Sequence, residues 1–353
     1  MRVVFLAWRD VKHPQAGGSE AVIDQLASRL TDRGHDVVLL HGGPSTAHNY
    51  RSRSVGGTYS QYFRLPFEHR HRVDRADVVV DVSNGVPFWS PLWQRAPVVT
   101  LIHHVHTDQW AMQFPRPIAA VGRWLESAVA TRVYRRARYV SVSSSTTSAL
   151  INMGVAPDRI DTIEMGVSFQ PAPRTPSAEP RFIIIGRLAA HKRVEVALRC
   201  WNDVRRELGG GELVVIGDGP ELPKLQSLAG PGVRLTGRVD EATKRRELAS
   251  AWSLIHPAHH EGWGVVITEA AMAEVPALGF DVAGVRDSIV DRSTGLLAGN
   301  EAEFVDKWIT LGCDTPLRES LGRAACARAA TFTWDRTLDR LEALLLDVAD
   351  RQR

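Results

Sequence analysis

The stretch Val3-Val-Phe-Leu-Ala-Trp8, then Ser19-Glu-Ala-Val-Ile-Asp-Gln-Leu-Ala-Ser-Arg-Leu-Thr-Asp-Arg33-Gly34, then Val37-Val-Leu-Leu-His41 decides the fold class. The outer pieces are near-continuous apolar runs, the signature of strands in a parallel sheet covered on both faces. The middle piece puts Val22, Ile23, Leu26, Ala27 and Leu30 on one stripe of a helix and stops at Gly34. The result is a βαβ unit. Apolar runs at 78–82, 98–102 and 139–143 continue the alternation through the first half of the chain.

With 353 residues the chain is long for one core and suits two domains. Residues 170–180, Gln-Pro-Ala-Pro-Arg-Thr-Pro-Ser-Ala-Glu-Pro, hold four prolines and cannot form a helix or a central strand. Beyond them the alternation restarts with runs at 182–185, 213–216 and 233–235. Between the first two lies a helix whose apolar face is Val194, Ala197, Leu198, Trp201, Val204 and Leu208. The class is α/β with two doubly wound, Rossmann-like domains. The expected division is 1–168, a linker at 169–180, 181–332, and a closing helix at 333–353 with Leu338, Leu341, Leu344, Leu345 and Val348 in a stripe.

The three cysteines, Cys200, Cys313 and Cys326, fall at unrelated spacings and fit reduced thiols in a cytoplasmic protein better than a disulfide frame. The first apolar run is only six residues and is followed by Arg9 and Asp10, so it reads as a strand and not a signal sequence. The formal charge of +3 is unevenly spread. Residues 115–138 hold Arg116, Arg123, Arg132, Arg135, Arg136 and Arg138 against the single acid Glu126, and 51–75 hold Arg51, Arg53, Arg64, Arg70 and Arg72. Such stretches attract phosphate-bearing partners, an anionic inner membrane face among them, although solvated helix faces account for as many. Beside the arginines, Ile118, Val121, Leu125, Ala128 and Val129 form an apolar stripe that core packing explains more often than lipid does.

The chemistry concentrates in Glu261-Gly-Trp-Gly-Val-Val-Ile-Thr-Glu269. Gly262 and Gly264 allow close backbone approach, and the helix that follows offers free N–H groups to an anion. Carboxylates on both sides suit a ligand with a phosphate middle and hydroxyls at either end, the shape of a nucleotide-sugar. Glu269 is equally accounted for as a residue favoured early in a helix. Arg187 stands at the carboxyl end of the run at 182–185, where open α/β sheets bind ligands, and Lys192 can converge on the same anion. The chain lacks an Asp-x-Asp pair to hold a divalent ion under a diphosphate, so no metal is expected. Gly17 and Gly18 before the first helix give an oxygen access to backbone, or merely turn the chain ahead of a Ser19 cap. Gly217-Asp-Gly-Pro220 reads as a tight strand-to-helix turn. Of His103, His104 and His106 after the run at 98–102, His103 is nearest the strand and ranks first as a partner for a sugar.

In order and spacing these motifs resemble the retaining nucleotide-sugar glycosyltransferases of the GT-B fold, family four. The resemblance spans nearly the whole chain: Gly17-Gly18, His103, Gly186-Arg-Leu188 with Lys192, Gly217-Asp-Gly-Pro220, the phrase from Glu261 to Glu269 with Ala270-Ala-Met-Ala273, then residues 276–280, Gly284 and Gly295-Leu-Leu297. It implies two domains facing across a cleft, acceptor on the N-terminal side and donor on the C-terminal side, with the last helix returning to the N-terminal domain. It further implies that Glu261 contacts donor-sugar hydroxyls, Glu269 the ribose, and Arg187 and Lys192 the diphosphate, helped by backbone near Gly264, Val265 and Val266. Gly17 and Gly18 would face donor phosphates or acceptor, Gly217 the donor, His103 the transferred sugar, and Arg238 and Val239 the base. The implied donor is a UDP- or GDP-sugar, used without a metal, and the acceptor a sugar, a lipid-linked or a small molecule. Arg193, Met165 and Asp287 depart from the usual pattern.

Two other readings compete. One is a membrane-surface binding protein docking through 51–75 and 115–138; the other is a GT-B sugar-nucleotide epimerase or phosphorylase. No nucleic-acid partner is expected.

Overall fold

A computed structural model describes residues 1–13, 16–83, 85–107, 110 and 114–351, the side chain of His69 excepted. The chain forms two compact units, one from Met1–Gly166 with the segment from Trp334 onward, the other from Val167–Thr333.

The first unit is a seven-stranded sheet in the order β3-β2-β1-β4-β5-β6-β7, parallel throughout. Its strands are β1 (Arg2–Arg9), β2 (Asp36–Gly42), β3 (Arg51–Ser54), β4 (Val78–Ser83), β5 (Val98–Ile102), β6 (Arg138–Ser141) and β7 (Ile160–Thr162). Helix α1 (Gly18–Asp32) joins β1 to β2 and buries the expected stripe of Val22, Ile23, Leu26, Ala27 and Leu30. Helix α2 (Arg116–Trp124) runs on through a π turn at Leu125–Val129 to Ala130–Val133, and α3 (Ser144–Asn152) follows β6.

The second sheet is six-stranded and parallel, in the order β10-β9-β8-β11-β12-β13. It consists of β8 (Arg181–Ile185), β9 (Glu212–Ile216), β10 (Val233–Gly237), β11 (Ser253–His256), β12 (Ala277–Phe280) and β13 (Gly295–Ala298). Its helices are α4 (Val194–Glu207), α5 (Leu222–Leu228), α6 (Glu241–Ser250), α7 (Val265–Met272), α8 (Glu301–Cys313) and α9 (Thr315–Ala329). Phe182, Trp201, Phe304 and Trp308 build the centre of this core, with Phe182 set edge-on to Trp308 at 5.5 Å between ring centres.

The chain crosses into the second unit at 166/167, upstream of the proline-rich stretch, and returns at 333/334. That stretch is bound to the second unit. Phe169 is buried there, Arg174 donates to the carbonyls of Ala249 (2.7 Å) and Ala251 (2.6 Å), and the Thr175 and Ser177 amides donate to Ala249 and Ser250. Proline removes amide donors from a strand ladder but leaves these capping contacts available.

The last helix, α10 (Trp334–Asp350), belongs to the first unit and packs on α1. Arg33 pairs with Asp339 at 2.8 Å and Glu342 at 2.7 Å, and His35 meets Glu342 at 2.7 Å. Thr337 donates to the Glu164 carbonyl. Where the chain leaves and re-enters the unit, a Cβ on Gly166 would lie 2.5 Å from the Trp334 nitrogen. Gly166→Ala is therefore expected to cost about 2 kcal/mol by overpacking against fixed backbone, measurable as a lowered urea midpoint.

Candidate active site

In an open parallel sheet the carboxyl edge gathers the loops that bind ligands. The second sheet does this through contacts between successive strand ends. Past β8, the Gly186 amide donates to Ile216; past β9, the Gly217 amide donates to Gly237; the Leu188 amide donates to Asp218. Gly186-Arg187, Gly217, and Arg238-Val239 thus stand side by side at one edge, Arg238 exposed and Val239 packed partly into the core. Gly217 has φ 144°, and a Cβ there would fall 1.8 Å from the Gly186 carbonyl oxygen. The glycine at this position has a packing cause in the strand ends as well as any role toward a ligand.

Next along the edge, β11 ends in His256 and the loop to α7 carries Glu261. Lys192, at the end of a single 3-10 turn (Ala190–Lys192), places its ammonium on Glu261 Oε1, and His256 Nε2 meets the same oxygen at 2.9 Å. Ile185, Gly186, Arg187, Lys192, His256 and Pro257 line one small pocket. The loop is braced from outside. The Glu261 amide donates to Ala283, and a Cβ on Gly284 (φ 79°) would lie 2.2 Å from the Glu261 carbonyl oxygen. Burial opposes charge on Glu261, but the Lys192 cation and the His256 hydrogen bond outweigh it and hold the carboxyl well below the usual range. His191 moves the other way: burial, with Lys192 beside it, lowers it to about 4, so its ring is neutral at pH 7.

Gly264 caps α7 in the left-handed region at φ 77° and leads directly into Val265 and Val266, whose amides open the helix. Glu269, in the second turn, is held by Lys244 Nζ at 3.1 Å, and burial raises its pKa in spite of that cation. Lys192 and Glu261 are therefore brought into contact with Arg187 beside them, while Glu269 has a separate cation.

Among the departures from the family pattern, Arg193 takes a left-handed conformation (φ 50°), pairs with Glu301 at 3.1 Å and lies over the Phe280 ring. Asp287 accepts from the Gly284 amide at 3.0 Å, and Met165 is buried.

In the first unit, Gly17 is the N-cap of α1 and Gly18 its first residue. The cap is not Ser19. Glu20 accepts from the Gly17 amide at 2.8 Å and the Ser19 hydroxyl at 2.9 Å, so a buried carboxylate already occupies this helix start. His103 follows β5 and is 7% exposed, and its Nε2 has no hydrogen-bond partner among the described residues. Burial lowers its pKa to about 4 against the opposing field of Glu20, which leaves a neutral imidazole near that carboxylate.

Residues that sequence patterning missed are polar groups inside apolar context. His256 hides in the strand Ser253-Leu-Ile-His256. Asp10, directly after β1, is fully buried and accepts from the Lys12 amide (3.0 Å), Thr46 (3.0 Å) and His48 Nε2 (2.8 Å); His48 Nδ1 meets Asp24 at 3.1 Å. This cluster pins the loop after β2 to the end of β1. Burial works against the Asp10 charge, but the Lys12 amide and His48 prevail and hold it at about 2. A depressed carboxylate stabilises the fold above its unfolded pKa, and that contribution goes as pH falls through the folded value. Wild-type protein is thus expected to lose more stability than Asp10→Asn between pH 4 and pH 2, as read from urea midpoints across that window.

Residues 179–314 match the family model "Glycosyl transferases group 1" and residues 16–170 the model "Glycosyltransferase Family 4", together most of the chain. The chain belongs to the family 4 glycosyltransferases. It is 33% identical over 125 residues to a GDP-mannose-dependent alpha-mannosyltransferase of Mycolicibacterium smegmatis (35% of this chain, 31% of the relative). It is 30% identical over 215 residues to a D-inositol 3-phosphate glycosyltransferase of Mycobacterium avium (53% and 49%). The matched region spans half or less of these curated relatives. Among solved structures, HepE of Anabaena in complex with UDP-glucose superposes with a TM-score of 0.81 at 16% identity, covering 98% of this chain and all of that one. The fold is GT-B.

Proposed function

We propose that this chain transfers a hexose from a UDP- or GDP-sugar to a sugar, lipid-linked or small-molecule acceptor, with retention of anomeric configuration and without a metal ion. The observation that carries this reading is the Lys192–Glu261–His256 network beside Arg187 at the carboxyl edge of the second sheet. When the donor binds, Glu261 exchanges its present partners for sugar hydroxyls, and Lys192 turns with Arg187 and the α7 amides toward the diphosphate. Arg238 and Val239 flank the base, and Glu269, on the same helix, takes the ribose. The acceptor oxygen forms a bond to the anomeric carbon on the face the diphosphate leaves. The anomeric C–O bond breaks, its electron pair passes to the departing phosphate, and the acceptor proton goes to that phosphate oxygen. These two cations and the amide dipoles meet the developing charge, which is the work a metal would otherwise do.

In the first unit, the neutral His103 ring with its unsatisfied Nε2 suits a sugar hydroxyl. Because Glu20 already places negative charge at the start of α1, hydroxyls suit the Gly17-Gly18 turn better than phosphate does. Cys200, Cys313 and Cys326 are free thiols, which favours a reducing, cytoplasmic setting.

The test is product analysis by NMR with a panel of UDP- and GDP-sugars and acceptors. An α-configured donor is expected to give an α-linked product at an undiminished rate in EDTA. A β-linked product, or activity abolished by EDTA and restored by Mg2+, would contradict the proposal.

A further inference from the structure

We infer that Lys244 is a positioning residue of the donor site: its ammonium holds one oxygen of Glu269 and leaves the other to accept from the hydroxyls of the nucleotide ribose. This deepens the proposed reading of Glu269 as the ribose carboxylate and rests on it.

The chain brings the cation to this place in a few residues. Asp240 caps α6 by accepting from the Thr243 amide at 2.7 Å, so the helix starts directly after Arg238 and Val239 at the carboxyl edge of the sheet. One short segment thus carries the residues that flank the base in the proposed mechanism and, a turn further on, Lys244. Its Nζ lies 3.1 Å from Glu269 Oε1, 3.0 Å from Glu241 Oε2 and 5.2 Å from the centre of the Phe169 ring. Phe169 is itself buried, in a cluster against which Val239 and Val266 pack. A cation gripped by two carboxylates and an aromatic face has little freedom. Lys244 is committed to these partners, whereas Lys192 turns to the diphosphate.

Glu269 is held on one side alone. Among the described residues its Oε2 has no hydrogen-bond or ion-pair partner. An ionised carboxylate accepts at both oxygens, so half of its capacity is open to a ligand. Two neighbouring ribose hydroxyls are donors of the matching kind.

The same ammonium keeps the carboxyl ionised. Burial raises the Glu269 pKa, Lys244 opposes that, and Glu241 adds a smaller push upward. These two α6 residues are the charged groups that act on it, since toward α9 the helix α7 packs through Ala271 and Met272 with Ala325 and Ala329. Without the cation the carboxyl takes its proton at higher pH and gives up the charge that strengthens its bonds to hydroxyls.

The test is calorimetric titration of UDP and GDP, each beside its 2′,3′-dideoxy analogue, into the full chain and its variants. Whichever nucleotide binds the wild type should bind Lys244→Met about tenfold more weakly at pH 8, the scale of one lost charge-assisted hydrogen bond. The gap should widen at pH 5.5, and comparison at equal pH cancels the titration of the phosphates. Lys244→Gln should repeat the loss, and Lys244→Arg, which keeps the charge, should recover most of the affinity. The wild type should prefer the ribose form over the dideoxy form about tenfold, and Lys244→Met by no more than about twofold. On top of Glu269→Gln, Lys244→Met should weaken binding less than about twofold, because the cation acts through that carboxylate.

Unchanged affinity in Lys244→Met and Lys244→Gln overturns the inference alone. So do an intact ribose preference in either variant, a gap that narrows toward pH 5.5, or a full tenfold loss on top of Glu269→Gln. If neither UDP nor GDP binds the wild type, the donor-site reading falls and takes this inference with it.

Discussion

Glu261→Ala is expected to lower kcat/KM for sugar transfer by about a hundredfold or more, the scale seen when one preorganised polar group is removed from a reacting centre. The loop that carries the carboxylate has its backbone locked against Gly284, and Lys192 and His256 hold one carboxylate oxygen until donor hydroxyls take their place. Lys192→Ala should act differently. In the proposed mechanism its positive charge matters most once the phosphate departs, so kcat should fall more than KM rises. Because Glu261 in the free enzyme stays ionised well below the usual range, kcat/KM should show no limb from this group between pH 5 and pH 8. Steady-state kinetics on variants with an unchanged circular dichroism spectrum check both effects, and wild-type turnover in either would remove that residue from the mechanism.

Gly217→Ala is expected to destabilise the second unit by about 3 kcal/mol or more, a larger loss than most single substitutions produce. Two independent conflicts add. The residue occupies φ 144°, which side chains rarely adopt, and its Cβ would overlap the Gly186 carbonyl oxygen at 1.8 Å. Neither atom can yield, because the Gly186 amide is tied to Ile216 and the Gly217 amide to Gly237. Gly237→Ala, with nothing within 4 Å of its Cβ, carries only the conformational part and should cost less. Urea denaturation of the two variants checks the ranking, and equal losses would mean that the contact between strand ends is softer than the structure shows.

The α/β class was legible because buried parallel strands leave continuous apolar runs and α1 leaves a full stripe ending at glycine. Strands β3, β7, β11, β12 and β13 were not, the last three being only four residues each. Arg51-Ser-Arg-Ser54 is an edge strand with no apolar side chain, and Ile160-Asp-Thr162 is too short to show a period. The proline-rich stretch was correctly read as neither helix nor strand, but its docking depends on carbonyls at the end of α6 that no local pattern announces. At the candidate site, Arg187, Lys192 and Glu261 were visible from their place after strands and turns. His256 was invisible, since its partner is five residues away across a loop whose path only the fold defines. The exposure of Ile118, Val121 and Trp124 was hidden for the opposite reason: an apolar stripe has the same spacing whether it faces a core or the surface.

The most direct test of the central claim is calorimetric titration of UDP- and GDP-sugars into the wild-type chain and Lys192→Met. At least one nucleotide-sugar should bind the wild type and bind the variant at least tenfold more weakly, as loss of a cation facing a diphosphate requires. Equal affinity in both proteins, or no binding of any nucleotide-sugar to the wild type, would contradict the assignment of the second sheet's carboxyl edge as a donor site.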